Sequence, residues 1–147
     1  MNQTDTFLEL SALLTGLHNL VEDPEDRRLS ASMADEYRRR LAAVFGERLE
    51  RLVTAYEAVR NSKSSGGWSP KLLERLRETS EFKDDTIEFV ARQIVNVWYF
   101  SQFVDTPGGD HFFDGGFYER GAIWKLIKTH PIGFSNQPHG YWTRKPD

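Results

Sequence analysis

An apolar segment from residue 87 to residue 104 dominates the pattern of hydrophobic and polar positions; it is I-E-F-V-A-R-Q-I-V-N-V-W-Y-F-S-Q-F-V. Its apolar residues recur with the spacing of a helix face, and they include Ile87, Val90, Ala91, Ile94, Val97 and Trp98. Other apolar residues cover most of the circumference, so this helix should be central in a core or covered by a partner. Glu88 and Arg92 interrupt the run well short of the ~18 apolar residues of a membrane span. Asp84 or Asp85 is placed to cap the helix.

The first predicted helix precedes this segment and carries an apolar stripe of Phe7, Leu10, Leu14, Leu17 and Val21. Thr4 or Thr6 is suited to cap its start. Gly16 lies inside the pattern, which suggests close packing against another helix. The segment V-E-D-P-E-D-R-R is expected to end this helix at a proline and a charge cluster.

A second predicted helix begins at Ser30 as its cap and continues to about Arg60. Gly46 interrupts its apolar stripe and is the point where two shorter helices could meet. The loop that follows contains N-S-K-S-S-G-G-W-S-P. Ser69 followed by Pro70 then predicts the start of a short helix, because proline suits the first helical position.

The C-terminal segment from residue 105 is rich in glycine, proline and aromatic residues. A short helix from about Tyr118 to Thr129 is predicted, ended by Pro131, and no strand is predicted anywhere in the chain. Disordered tails are poor in aromatic residues, so this segment should be buried against its own helices or a partner. The chain is therefore predicted to be a single all-α domain, 1–147. It should form a bundle of four to five helices at 1–104 and an irregular wrapping segment at 105–147.

Composition narrows the function. The 147 residues carry a net charge of −3, so the chain lacks the basic footprint of a nucleic-acid-binding protein. The absence of cysteine excludes disulfides, thiolate metal sites and a cysteine nucleophile.

Candidate metal and catalytic chemistry is sparse. Asp105, Asp110 and Asp114 flank glycines, but their spacing lacks the order and the closing glutamate of a calcium loop. The four histidines are not spaced as zinc ligands, and no phosphate-binding loop or nucleophile elbow occurs. Tyrosine and tryptophan remain the strongest signal, because they dominate protein interfaces. Filling the chain's own core is the alternative role, and it is the favoured one for Trp98.

Four segments follow one another over almost the whole chain: F-L-E-L-S-A-L-L-T-G, A-R-Q-I-V-N-V-W-Y-F, G-A-I-W-K-L-I and P-I-G-F-S-N-Q-P-H-G-Y-W-T-R-K-P. In this order they resemble the sorbitol dehydrogenase small-subunit family. Its members are small subunits of membrane-associated flavin-dependent sorbitol, fructose and glucose dehydrogenases. The third subunit of gluconate 2-dehydrogenase is a subunit of a similar kind.

The resemblance implies a non-catalytic, chaperone-like accessory subunit. Such subunits bind a large flavoprotein of the glucose–methanol–choline (GMC) oxidoreductase type, assist its maturation and often its export. FAD and the substrate sites belong to that partner, so no catalytic, cofactor or metal residue is expected in this chain. Leu14, Thr15 and Gly16 match the family pattern. By position, the partner interface is expected at Trp98, Tyr99, Trp124, Pro131, Gly133, Phe134, Gly140, Tyr141 and Trp142.

Two departures from the family pattern affect the expected location. Relatives commonly carry a twin-arginine signal, whereas this sequence begins directly with the first predicted helix. Relatives also often have cysteine in the terminal segment, where this chain has Ser135, Asn136 and Gln137. We therefore expect the cytoplasm, or the periplasm if a signal was removed or the chain is exported with its partner.

Two other functions remain open. The chain could be a stand-alone small enzyme or ligand-binding domain, with a pocket lined by Trp98, Tyr99 and Trp124 beneath the glycine-rich segment. It could also form a homodimer that buries the same aromatic residues by self-association.

Overall fold

The computed structural model describes residues 2–62, 67–107 and 112–114, the last of these as backbone only. This part of the chain is mostly helical, as the apolar patterns predict. Its helices are α1 (Gln3–Thr15), α2 (Asn19–Glu22), α3 (Pro24–Phe45), α4 (Glu47–Arg60), α5 (Leu72–Arg77) and α6 (Asp85–Phe100). Two short strands, β1 (Gln102–Val104) and β2 (Phe112–Asp114), form an antiparallel pair.

The first helix begins and ends at residues other than those predicted. Asn2 caps α1, because its side-chain oxygen accepts a hydrogen bond from the Asp5 amide at 2.7 Å. Gly16 ends α1 with a φ of 76°, and its amide donates to the Ala12 carbonyl at 3.1 Å. Glycine adopts this left-handed conformation without a Cβ penalty. The prediction of Gly16 as an interior, closely packed residue was therefore wrong, and a Cβ there would meet nothing within 4 Å.

The acidic segment around Pro24 starts a helix. The Asp23 carboxylate accepts hydrogen bonds from the amides of Glu25 and Asp26 at 2.9 and 3.3 Å, and Pro24 is the first residue of α3. Proline suits that position because no amide partner is lost there. Ser30 consequently lies inside α3, so its prediction as the cap was wrong. The sequence left open whether the second helix breaks at Gly46, and the structure shows the break: Gly46, with a φ of 52°, separates α3 from α4.

The central helix is capped as predicted and ends earlier. Asp84 accepts hydrogen bonds from the Thr86 amide and hydroxyl at 2.9 and 2.7 Å. At the other end Ser101 has a φ of 59°, and the chain continues as β1, whose Phe103 pairs with Phe113. The helical prediction up to residue 104 and the absence of predicted strands were therefore wrong. Ser69 and Pro70 precede α5 by one turn, with the Ser69 carbonyl accepting from the Leu72 amide at 3.0 Å.

The core lies where α1, α3, α4 and α6 meet. The inward face of α6 supplies Ile87, Val90 and Ile94, each with no exposed surface. From α1 come Phe7, Leu8 and Leu10, which are equally buried, so α1 is enclosed on most sides by the helices that follow it. No helix within the described residues is long and apolar enough to cross a membrane.

Candidate functional site

Trp98 and Tyr99 are neighbours at the end of α6, and the structure gives them different surroundings. Trp98 is 2% exposed, and its ring packs edge-on against Tyr37 with centroids 5.1 Å apart. The prediction that Trp98 belongs to the core is confirmed. Its indole N–H has no hydrogen-bond acceptor among the described residues, which is uncommon for a buried polar group.

Tyr99 joins the two ends of the helical region. It is half-buried, and its hydroxyl donates a 2.9 Å hydrogen bond to the carbonyl of Thr15 at the end of α1. That carbonyl is one of the four that a helix leaves without an internal partner. The next residue, Phe100, is 48% exposed and its ring lies 6.4 Å from that of Tyr99. An aromatic side chain at the surface therefore adjoins one that is held in place.

The chain leaves α6 along a path fixed by polar contacts. The Gln93 side chain, 3% exposed, accepts hydrogen bonds from the Val104 amide at 3.0 Å and the Asn96 side chain at 3.2 Å. The Ser101 hydroxyl lies 3.3 Å from the Tyr37 hydroxyl. Phe103 is 1% exposed and its ring is 5.8 Å from that of Phe45. Strand β1 is thus anchored to the core at its side chains and its backbone.

The remaining expected interface residues lie outside the described residues; they are Trp124, Pro131, Gly133, Phe134, Gly140, Tyr141 and Trp142. So do the predicted helix from Tyr118 to Thr129 and the candidate metal residue Asp110. Asp114 is seen only as backbone in β2. Of the three residues expected to line an aromatic pocket, Trp98 lies in the core and Trp124 is not described. Within the described part of the chain, no three His, Asp or Glu residues are grouped as metal ligands.

A buried carboxylate at Glu9 forms a site that the sequence analysis missed. Glu9 is 3% exposed. One carboxylate oxygen accepts hydrogen bonds from the Tyr56 hydroxyl and the Arg60 Nε, both at 2.7 Å. The other oxygen lies 3.5 Å from the Arg27 guanidinium, and the Glu9 carbonyl accepts from the Trp68 indole at 2.9 Å. Three other parts of the chain, which are α3, α4 and the segment before α5, therefore converge on Glu9.

The chemistry of this cluster favours a structural role. Burial, and then the hydrogen bond to the Glu9 carboxylate, raise the pKa of Tyr56 far above its usual range. Tyr56 is therefore a neutral donor, and the arginines supply the opposite charge that a buried carboxylate needs. The signal in the sequence was a glutamate within the apolar run F-L-E-L. Its partners are 47 and 51 residues away, so no local spacing could identify them.

No protein-family model, curated protein or solved structure matches this chain. The resemblance to the sorbitol dehydrogenase small-subunit family therefore stays a prediction drawn from the sequence segments. The structure adds one relation between them: two of these segments, at the end of α1 and the end of α6, are joined by the hydrogen bond from Tyr99 to Thr15.

Proposed function

We propose that this chain is a non-catalytic accessory subunit that binds and stabilises a flavin-dependent oxidoreductase of the GMC type. The contact between the two segments is the observation that supports this most. L-T-G at the end of α1 and W-Y at the end of α6 are 84 residues apart at Thr15 and Tyr99, yet a 2.9 Å hydrogen bond joins them. Two of the four segments that resemble one family are thus in direct contact.

The proposed mechanism is stabilisation of the partner by binding. A subunit that binds only the folded, FAD-loaded flavoprotein favours that state by mass action. A stable complex of this kind buries ~1,200–2,000 Å² of surface. On the described part of this chain, Tyr99 and Phe100 are the aromatic residues at the proposed contact, and Trp98 supports them from the core. FAD and the reacting substrate would both be bound by the large subunit. This chain would act in the same compartment as that subunit.

The test is affinity capture of the tagged chain from its native host, followed by an absorption spectrum and the subunit masses of the eluate. We expect a flavin spectrum together with a co-eluting chain of oxidoreductase size. The double variant Tyr141→Ala, Trp142→Ala is expected to reduce the captured flavin, since large aromatic residues contribute most at interfaces. A colourless, solitary chain that stays folded would overturn the proposal.

A further inference from the structure

A surface groove lies between the end of α1, the segment that joins α5 to α6, and α6 itself. Its floor is apolar and includes Leu14, Phe82 and Val95, all of which are half-buried. Leu14 and Phe82 also pack against the core. The floor is therefore a solvent-facing extension of the core, held by residues from three parts of the chain.

The rim of the groove is basic. Arg77, Lys83 and Arg92 line it and are exposed, and the single carboxylate there is that of Glu88. Glu88 pairs with Arg92 at 2.8 Å. Among the described residues, no carboxylate forms an ion pair with Arg77 or Lys83. The rim thus carries excess positive charge on a chain whose net charge is −3.

We propose that this groove is a docking site for an acidic amphipathic segment of the partner flavoprotein, an inference that rests on the proposed function. The occupant would insert one or two apolar side chains onto the floor and place Asp or Glu residues against the rim. From Glu88 to Val95 the groove follows α6 for about 10 Å, or roughly two helical turns. The exposed ion pair of Arg92 with Glu88 is of a weak kind, so a carboxylate of the partner can replace Glu88.

Two features of the groove favour a protein segment of this chemistry. Its cations come from α5, the connecting segment and α6, so they surround the apolar floor on more than one side. Opposite charges at a rim steer association, while apolar contact at the centre supplies affinity. Val95 in the groove and Tyr99 are four residues apart, so they are neighbours on one face of α6. The groove therefore adjoins the residues already proposed to contact the partner.

The test uses charge reversal in the full-length chain. Arg77→Glu with Lys83→Glu reverses two rim charges, and Arg28→Glu with Lys71→Glu is a control with the same change in net charge. Arg28 and Lys71 are exposed and lie outside the groove. Binding to the purified flavoprotein captured by the wild-type chain is measured by interferometry. We expect the groove variant to bind about tenfold more weakly at low salt, with a smaller difference at high salt, and the control to bind like wild type.

A third variant, Val95→Gln, tests the apolar floor without changing charge, and it is also expected to weaken binding. Circular dichroism confirms that each variant is folded. Wild-type affinity in the groove variant would overturn the docking site and leave the proposed function standing. If the control variant loses as much affinity as the groove variant, the change in net charge alone explains the weaker binding, and the docking site is overturned. If the wild-type chain associates with itself and the groove variant does not, the occupant is a second copy of this chain. If the wild-type chain captures no flavoprotein, both proposals are overturned.

Discussion

Two clusters of charged residues in this chain have similar composition and opposite surroundings. In the first, the buried carboxylate of Glu9 is held by Tyr56 and Arg60 at 2.7 Å. In the second, on the surface of α3, Asp35 and Glu36 pair with arginines three or four residues along the same helix at 3.0–3.2 Å. The contacts of the first cluster are shorter and join distant parts of the chain, whereas most contacts of the second lie within one helix.

The difference shows that burial decides what an ion pair contributes to stability. Removing one partner of a buried pair leaves an uncompensated charge away from water, which is costly. Exposed pairs on one helix are screened by solvent and contribute little. Asp35 is intermediate in one respect, because it also accepts a 3.1 Å hydrogen bond from Thr4 of α1.

The largest expected effect is that of Glu9→Ala. This change removes the carboxylate that accepts hydrogen bonds from the Arg60 Nε and from the buried Tyr56 hydroxyl. Two hydrogen bonds to a charged group are lost, each worth about 1.5–3 kcal/mol, so the free energy of unfolding is expected to fall by about 3–5 kcal/mol, as measured by urea denaturation. Arg39→Ala, which removes an exposed pairing partner, is the matched control and should have little effect. Equal losses in the two variants would contradict the distinction between the clusters.

Tyr56→Phe should have a smaller effect, because Glu9 keeps its arginine partners. Loss of this single hydrogen bond to a charged group is expected to cost about 1.5–3 kcal/mol. The same urea denaturation measures it. The double variant Glu9→Gln, Tyr56→Phe should cost less than the sum of the two single changes, since both act on one interaction; strict additivity would show that the hydroxyl and carboxylate are not coupled.

The stability contribution of the Glu9 cluster should also depend on alkaline pH, unlike that of the α3 cluster. Burial and the Glu9 carboxylate raise the pKa of Tyr56 in the folded chain above its unfolded value of about 10. The folded state therefore holds this proton more tightly, so its contribution to stability is complete below pH ~10 and falls as the pH rises above that value. The loss of stability between neutral and alkaline pH should be smaller in Tyr56→Phe than in wild type. Identical pH profiles would contradict the assignment.

The smallest expected effect is at Asp35. Hydrogen bonds from Arg38 and then Thr4 lower the pKa of Asp35 below its unfolded value of about 3.9. Its contribution is therefore present above that pH and disappears as the pH falls through the folded-state pKa. Asp35→Asn should slightly reduce stability at neutral pH and match wild type in strong acid. A loss of stability as large as that of Glu9→Ala would show that the ion pairs of the α3 cluster contribute as much as buried ones.

The sequence predicted those features that depend on neighbouring residues. The apolar stripe of α6 and its cap at Asp84 are local, and the structure contains both. Gly46 was a possible break on the same local grounds, and the structure decides that the helix breaks there. Asp23 and Pro24 were misinterpreted because a proline can stop one helix or start the next, and only the capping bonds decide. Gly16 was misplaced for a similar reason, since the apolar spacing continues into α2 after the helix has turned.

The missed features depend on contacts between distant residues. Strand β1 has three residues, too few for a period of two to be recognised, and it is held by Gln93 and the buried Phe103. The partners of Glu9 come from α3, from α4 and from the segment before α5. For the expected partner interface, the described residues give positions only for Trp98 and Tyr99. Trp98 illustrates the limit of pattern analysis, because the same residue type suits a core and an interface.

The enclosure of α1 has a consequence for the order of events during synthesis. This helix is made before the other described helices, and Tyr99, which donates a hydrogen bond to Thr15 at its end, is made 84 residues after Thr15. At a synthesis rate of about 5–20 residues per second, roughly 4–17 s pass before α6 completes the enclosure of α1. Throughout that interval Phe7, Leu8 and Leu10 lack their final neighbours. The apolar face of α1 is therefore a site where aggregation can begin during synthesis.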